Sequence, residues 1–184
     1  WNWDFYRPYV ALALEYEVPL IAANLSNADT TRIVRGGLAG VFDSATIEAL
    51  GLHRPIAGDW QAAQEREIDA GHCRALPPAA WPRLARAQFA RDAVMAHALS
   101  QRTNSGVVLL AGNGHVRRDI GVPRWLAAAD AAQASRKVFA LGLLERDDAH
   151  PPADAFDATL RTEPAERPDP CAGFKPRTSG SAAP

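Results

Sequence analysis

The residues whose types and spacing could do chemistry converge on Gly112-Asn113-Gly114-His115. An imidazole can bind a metal or carry a proton near neutral pH. The two glycines permit a tight turn and a close approach of backbone to ligand. Arg117 and Arg118 follow at once, and a guanidinium fork suits a carboxylate. The plainer alternative is a tight strand-to-helix connection with a surface histidine. The pattern fits neither a dinucleotide fingerprint nor a P-loop, because His follows the second glycine in place of a phosphate-cradling helix start.

Further candidates stand elsewhere. Asn24 ends the apolar run Val18–Ala23, and His72 sits in the loop Gly71-His72-Cys73-Arg74. On a helix over 80–101, Trp81, Leu84, Ala85, Met95, Ala96 and Leu99 fall on one side. Gln88 and Asp92 fall at the centre of that same side, with Arg91 at its flank. A carboxylate on an apolar face is costly unless it is paired. Asp92 is therefore expected to have a specific partner: a backbone amide, an arginine or a site histidine.

Short apolar runs and helical periodicities must position these groups. Val107–Ala111, just before the Gly-Asn-Gly-His turn, reads as a strand buried on both faces. Val18–Ala23, 137–144 and 155–162 read as further strands, the last at an edge. Helices are expected over 7–17, 29–36, 44–50 (capped by Ser44), 60–70, 80–101 and 123–134. Alternation of strands and helices indicates an α/β fold, a mostly parallel sheet flanked by helices. His115 and Asn24 then both stand at strand C-terminal edges, where ligands bind in such sheets.

The chain of 184 residues, 47% hydrophobic and 22% charged, has globular values. A net charge of −1 gives no reason to expect a nucleic-acid partner. No apolar run approaches the ~20 residues of a membrane span. Residues 1–163 read as one ligand-binding domain and 164–184 as a Pro/Gly/Ser-rich tail, disordered over 178–184. Cys73 and Cys171 could form one disulfide in an oxidising compartment or remain two thiols. The abrupt aromatic start at Trp1 reads as a piece of a larger fold whose targeting signal is lost.

Three blocks together resemble the ChaN-like haem-binding uptake proteins of the Tiki superfamily. They are Pro19-Leu20-Ile21-Ala22-Ala23-Asn24, then the run from Ala87 to Ala96 containing Gln88, Arg91 and Asp92, then Ala111–Arg117 with Gly121-Val122-Pro123. The resemblance covers roughly residues 1–144, and Asp169-Pro170-Cys171 is also similar to bacterial members. It implies a Tiki/erythromycin-esterase-like α/β fold. It also implies a bacterial envelope protein, periplasmic or a lipoprotein on the outer membrane, that binds haem for iron acquisition. The superfamily carries two Gly-x-x-His motifs; 112–115 is similar to the second, and the first strand and first motif are absent here.

The resemblance further implies a tyrosine iron ligand and a histidine near the propionates. Here Arg117 and Arg118 stand where that tyrosine is expected, and Tyr6, Tyr9 and Tyr16 lie near the first helix. The expectation is a site of His115, Asn113, Arg117, Arg118, Asn24 and His72, supported by Gln88, Arg91 and Asp92. His115 would hold the iron of haem, and Arg117 or Arg118 a propionate. A homodimer would allow two haems to pair face to face. The competing expectation is a metal-dependent hydrolase in which His115 holds a divalent metal that activates water. With no HExxH or complete metal triad in the sequence, binding is favoured over enzyme chemistry.

Overall fold

The computed structural model describes residues 3–102, 106–129 and 137–174. A 3-10 turn at Trp3–Phe5 leads into α1, Arg7–Glu15. Then follow α2, Asn27–Gly36, α3, Ser44–Ala49, and α4, Gly58–Gly71. The long α5 covers Trp81–Ser100, the single turn α6 covers Asn113–Val116, and α7 covers Val122–Ala129. The strands are β1, Leu141–Glu145, and β2, Ala158–Thr162.

Local chemistry sets the helix ends. Ser26 Oγ accepts the Asp29 backbone N–H at 3.1 Å and starts α2, and Gly37 closes it at φ 79°. For α3 the cap lies one residue earlier than expected: the Asp43 carboxylate accepts the Thr46 N–H at 2.7 Å, and Ser44 is the first helical residue. An ionised cap binds more strongly than a hydroxyl. The Asp43 carboxyl is held below its usual value, first by a side-chain hydrogen bond from Thr46 and then by that backbone bond. The expected 123–134 helix begins at Val122; residues 130–134 lie outside the described ones.

α5 is the axis of the fold, with α2, α4 and α7 packed against it. Its buried face is rich in alanine, including Ala85, Ala90, Ala93 and Ala96. Such small side chains let neighbouring helices come close. Between α4, α5 and α7 the rings of Trp60, Phe89 and Trp125 cluster, with centroids 5.0–6.4 Å apart. Edge-on contacts of this kind add roughly 0.5–1.5 kcal/mol each beyond buried area. Trp60 Nε1 donates to the Ile120 carbonyl at 2.8 Å, so the segment after the histidine turn is tied to α4.

The sheet is smaller than expected. β1 and β2 pair in parallel, with Leu143 opposite Leu160. Residues 18–23 and 107–111, expected as strands, form neither strand nor helix. Among the described residues, no backbone–backbone hydrogen bond holds 19–25 or 106–111. A strand exists through its partner, and the apolar pattern alone does not supply one. Burial on both faces is corrected too: Leu109 and Ala111 pack on the core, whereas Val107, Val108 and Leu110 are exposed. The parallel sense and the α/β class stand.

Cys73, just beyond α4, is disulfide-bonded to Cys171, with Cα atoms 5.6 Å apart. The segment 163–174 contains no helix or strand, and Arg167 pairs with Glu145 at the end of β1. The expected disorder over 178–184 lies outside the described residues. Among those residues, no helix is long and apolar enough to cross a membrane.

Candidate functional site

Asp92 has the partner its position demands. On α5 it is 1% exposed, and its Oδ1 lies 2.6 Å from His115 Nδ1. Burial pushes its carboxyl up to about 6, although the hydrogen bond and charge of His115 and the charge of Arg91 pull it down. At pH 7 the carboxylate is therefore mostly ionised and can only accept. Nδ1 then carries the hydrogen, and in the neutral ring Nε2 keeps its lone pair. No protein partner is present at Nε2 among the described residues, and the imidazole is 15% exposed. A carboxylate oriented on Nδ1 is the arrangement that sets an imidazole to bind a metal through its other nitrogen.

The turn that carries His115 is held from two sides. The His115 N–H donates to the Gly112 carbonyl at 2.9 Å, closing α6. The Asn113 carboxamide grips β1: Nδ2 donates to the Leu143 carbonyl at 2.5 Å, and Oδ1 accepts the Leu143 N–H at 3.2 Å. Asn113 thus serves the sheet edge. Gly121 closes the other side: a Cβ there would lie 2.2 Å from the His115 carbonyl oxygen. The glycine is required by this close approach, which joins Gly-Asn-Gly-His and Gly-Val-Pro into one unit.

Beside the pair runs a second polar group. Arg91 Nε donates to Asn24 Oδ1 at 3.1 Å, and Nη1 donates to Gln88 Oε1 at 3.3 Å. Asn24 Oδ1 also accepts the Leu25 N–H at 2.8 Å. Asn24, Gln88 and Arg91 thus form one bonded group, and Arg91 is next along α5 to the Asp92 of the His115 pair.

Three expected residues are held elsewhere. Arg117 is buried between Glu67 and Asp119, with Nε and Nη2 at 2.9 and 2.6 Å from the Asp119 carboxylate. Burial alone would lower its pKa, but bonds to Asp119 and Glu67 raise it on balance. Arg118 Nη1 bonds Asp157 at 2.8 and 3.0 Å and the Val138 carbonyl at 3.2 Å. Both guanidiniums are thus committed to protein carboxylates. His72 caps α4, its Nδ1 2.7 Å from the Ile68 carbonyl. Tyr9 and Tyr16 are exposed on and just beyond α1.

The residues that sequence reasoning missed are Asp119, Glu67, Gly121's backbone contact and Leu143. Asp119, two places after Arg117, was the one available local signal. A cleft of about 460 Å³ between α4 and α7 includes Arg66, Arg124 and Asp154 but neither His115 nor Asp92. It does not coincide with the polar cluster. Among the described residues no three His, Cys, Asp or Glu side chains gather as a metal site.

No curated protein and no solved structure matches the chain. The model of the family described as "Haem-binding uptake, Tiki superfamily, ChaN" matches residues 1–126. That span holds Asn24, the whole of α5, the histidine turn and Gly121. The chain belongs to the ChaN family of haem-binding uptake proteins in the Tiki superfamily.

Proposed function

We propose that this chain binds haem as a cargo of bacterial iron uptake and does not transform it. The observation that carries the reading is the buried Asp92–His115 pair, which leaves Nε2 as an open donor within the span shared with the family. A neutral imidazole is an established haem-iron ligand, so the donor chemistry fits. His115 would hold the iron, and Asp92 would fix the tautomer and the ring plane. Gly112, Asn113 and Gly121 would keep the turn in place.

The same reading locates the protein in the cell envelope, periplasmic or attached to the outer membrane. The Cys73–Cys171 disulfide fits an oxidising compartment. It also takes residues 1–163 as the ligand-binding domain on a Tiki/esterase-like plan, with 164–184 as a tail, and admits pairing of two copies.

A titration with haem followed at the Soret band tests it, with His115→Ala alongside. A saturable shift that is lost or altered in the variant is expected. No shift in the wild type, with zinc or manganese found by elemental analysis, would replace haem binding by metal-dependent hydrolysis at the same Nε2.

A further inference from the structure

Resting on the haem reading, we infer that Arg91 is the residue that receives a carboxylate of the ligand, a task that neither Arg117 nor Arg118 is free to perform. Arg117 and Arg118 are already committed to protein carboxylates. Arg117 is closed by Glu67 and Asp119, and Arg118 by Asp157. A ligand carboxylate approaching either would have to displace a protein carboxylate already in place.

Arg91 differs in its partners. Its two bonds go to the side-chain amide oxygens of Asn24 and Gln88, both neutral. These bonds fix the plane of the guanidinium without cancelling its charge. The planar fork has five N–H donors, and only Nε and Nη1 are engaged among the described residues. Asp92, next in sequence, is the nearby acid, and Arg91 acts on it through space. Asp92 spends its Oδ1 on His115.

Arg91 is partly buried, where a charge-assisted bond is stronger than in open water. From adjacent positions on α5 the arrangement therefore offers a ligand two different functions: a lone pair at His115 Nε2, on the ring held by Asp92, for an electron-poor centre, and an oriented cation at Arg91 for an oxyanion. A ligand carrying both a metal centre and peripheral carboxylates, as haem does, meets both requirements. Asn24 and Gln88 are then positioning residues that hold the fork.

The test compares iron protoporphyrin IX with its dimethyl ester, whose propionates carry no charge, by Soret titration. The wild type should prefer the free acid by about tenfold or more, the scale of a charge-assisted pair. Arg91→Gln should reduce that preference to within about threefold while the absorbance signature of His115 ligation persists. Arg91→Lys keeps the charge without the fork and should retain only part of the preference. Circular dichroism of each variant establishes that it is folded. An unchanged preference in folded Arg91→Gln and Arg91→Lys overturns the assignment.

If neither porphyrin gives a Soret response with the wild type, the haem reading itself fails. Arg91 is then decided with succinate as the probe, read by thermal shift. Stabilisation of the wild type that is absent in Arg91→Gln upholds a carboxylate site, and any other result overturns it.

Discussion

Opening the Cys73–Cys171 bond should cost this protein a large part of its thermal stability. The two cysteines are separated by 98 residues, so the bridge closes a loop spanning half of the chain. For a loop near 100 residues, the chain-entropy argument gives ~4.7 kcal/mol of destabilisation of the unfolded state. A chain of 184 residues has an unfolding entropy of about 0.39 kcal/mol/K, at ~2.1 cal/mol/K per residue. The ratio is a fall in Tm of about 12 °C. The segment 163–174 has few other holds on the body, chiefly Arg167 on Glu145. In the reduced native state it can regain freedom, which makes ~12 °C an upper value. The assay is a thermal melt by circular dichroism of the wild type and a Cys73→Ala/Cys171→Ala variant, with a reductant arm on the wild type. A shift below about 2 °C would refute the reasoning, because the bridge would then constrain nothing that folding must order.

Other outcomes follow from the site. The native Asp92 carboxyl, at about 6, lies above its unfolded value of 3.8, so the folded state holds this proton more tightly. Its stabilising contribution is full below pH 3.8 and is lost as pH rises through about 6, a change of about 3 kcal/mol at 1.36 kcal/mol per unit. Asp92→Asn keeps an acceptor for His115 Nδ1, so its stability relative to wild type should rise by up to that amount between pH 4 and pH 7. A flat difference in urea melts would count against the assignment. Gly121→Ala forces a Cβ against the His115 carbonyl and should destabilise by about 3 kcal/mol with loss of the Soret response. Gly114→Ala, with nothing within 4 Å of its Cβ, should be tolerated; equal effects of the two substitutions would discount the close approach. Asn113→Ala strips both side-chain bonds from Leu143 and should cost about 1–3 kcal/mol. Faster hydrogen exchange at the Leu143 amide would report it, and unchanged exchange would remove Asn113 from the sheet edge.

Periodicity read the helices well because α5 buries one stripe, and that same stripe exposed Asp92 as a group in need of a partner. The identity of the partner follows from tertiary structure: His115 lies 23 residues away and meets Asp92 only once α5 and the Gly112 turn are packed. Apolar runs were weaker guides. Residues 107–111 have the composition of a buried strand, yet a ladder depends on a neighbour that local composition does not encode. Arg117 and Arg118 looked available because their carboxylate partners include Glu67 and Asp157, remote in sequence. Arg91 looked like mere support, since a charge whose bonds end on neutral amides is visible only when those bonds are traced.

The contact between Gly121 and the His115 carbonyl has a mechanical consequence. With no side chain between them, the backbone before α7 bears directly on the turn that aims the imidazole. One residue on, Val122 starts the helix that seats Trp125 and Leu126 in the aromatic core. The histidine is therefore mounted on the core through a stiff backbone joint. Packing changes far from the ligand, at Trp60 or Phe89, would be transmitted as a rotation of the ring. The tightness of the interior thus acts as the alignment tolerance of the site.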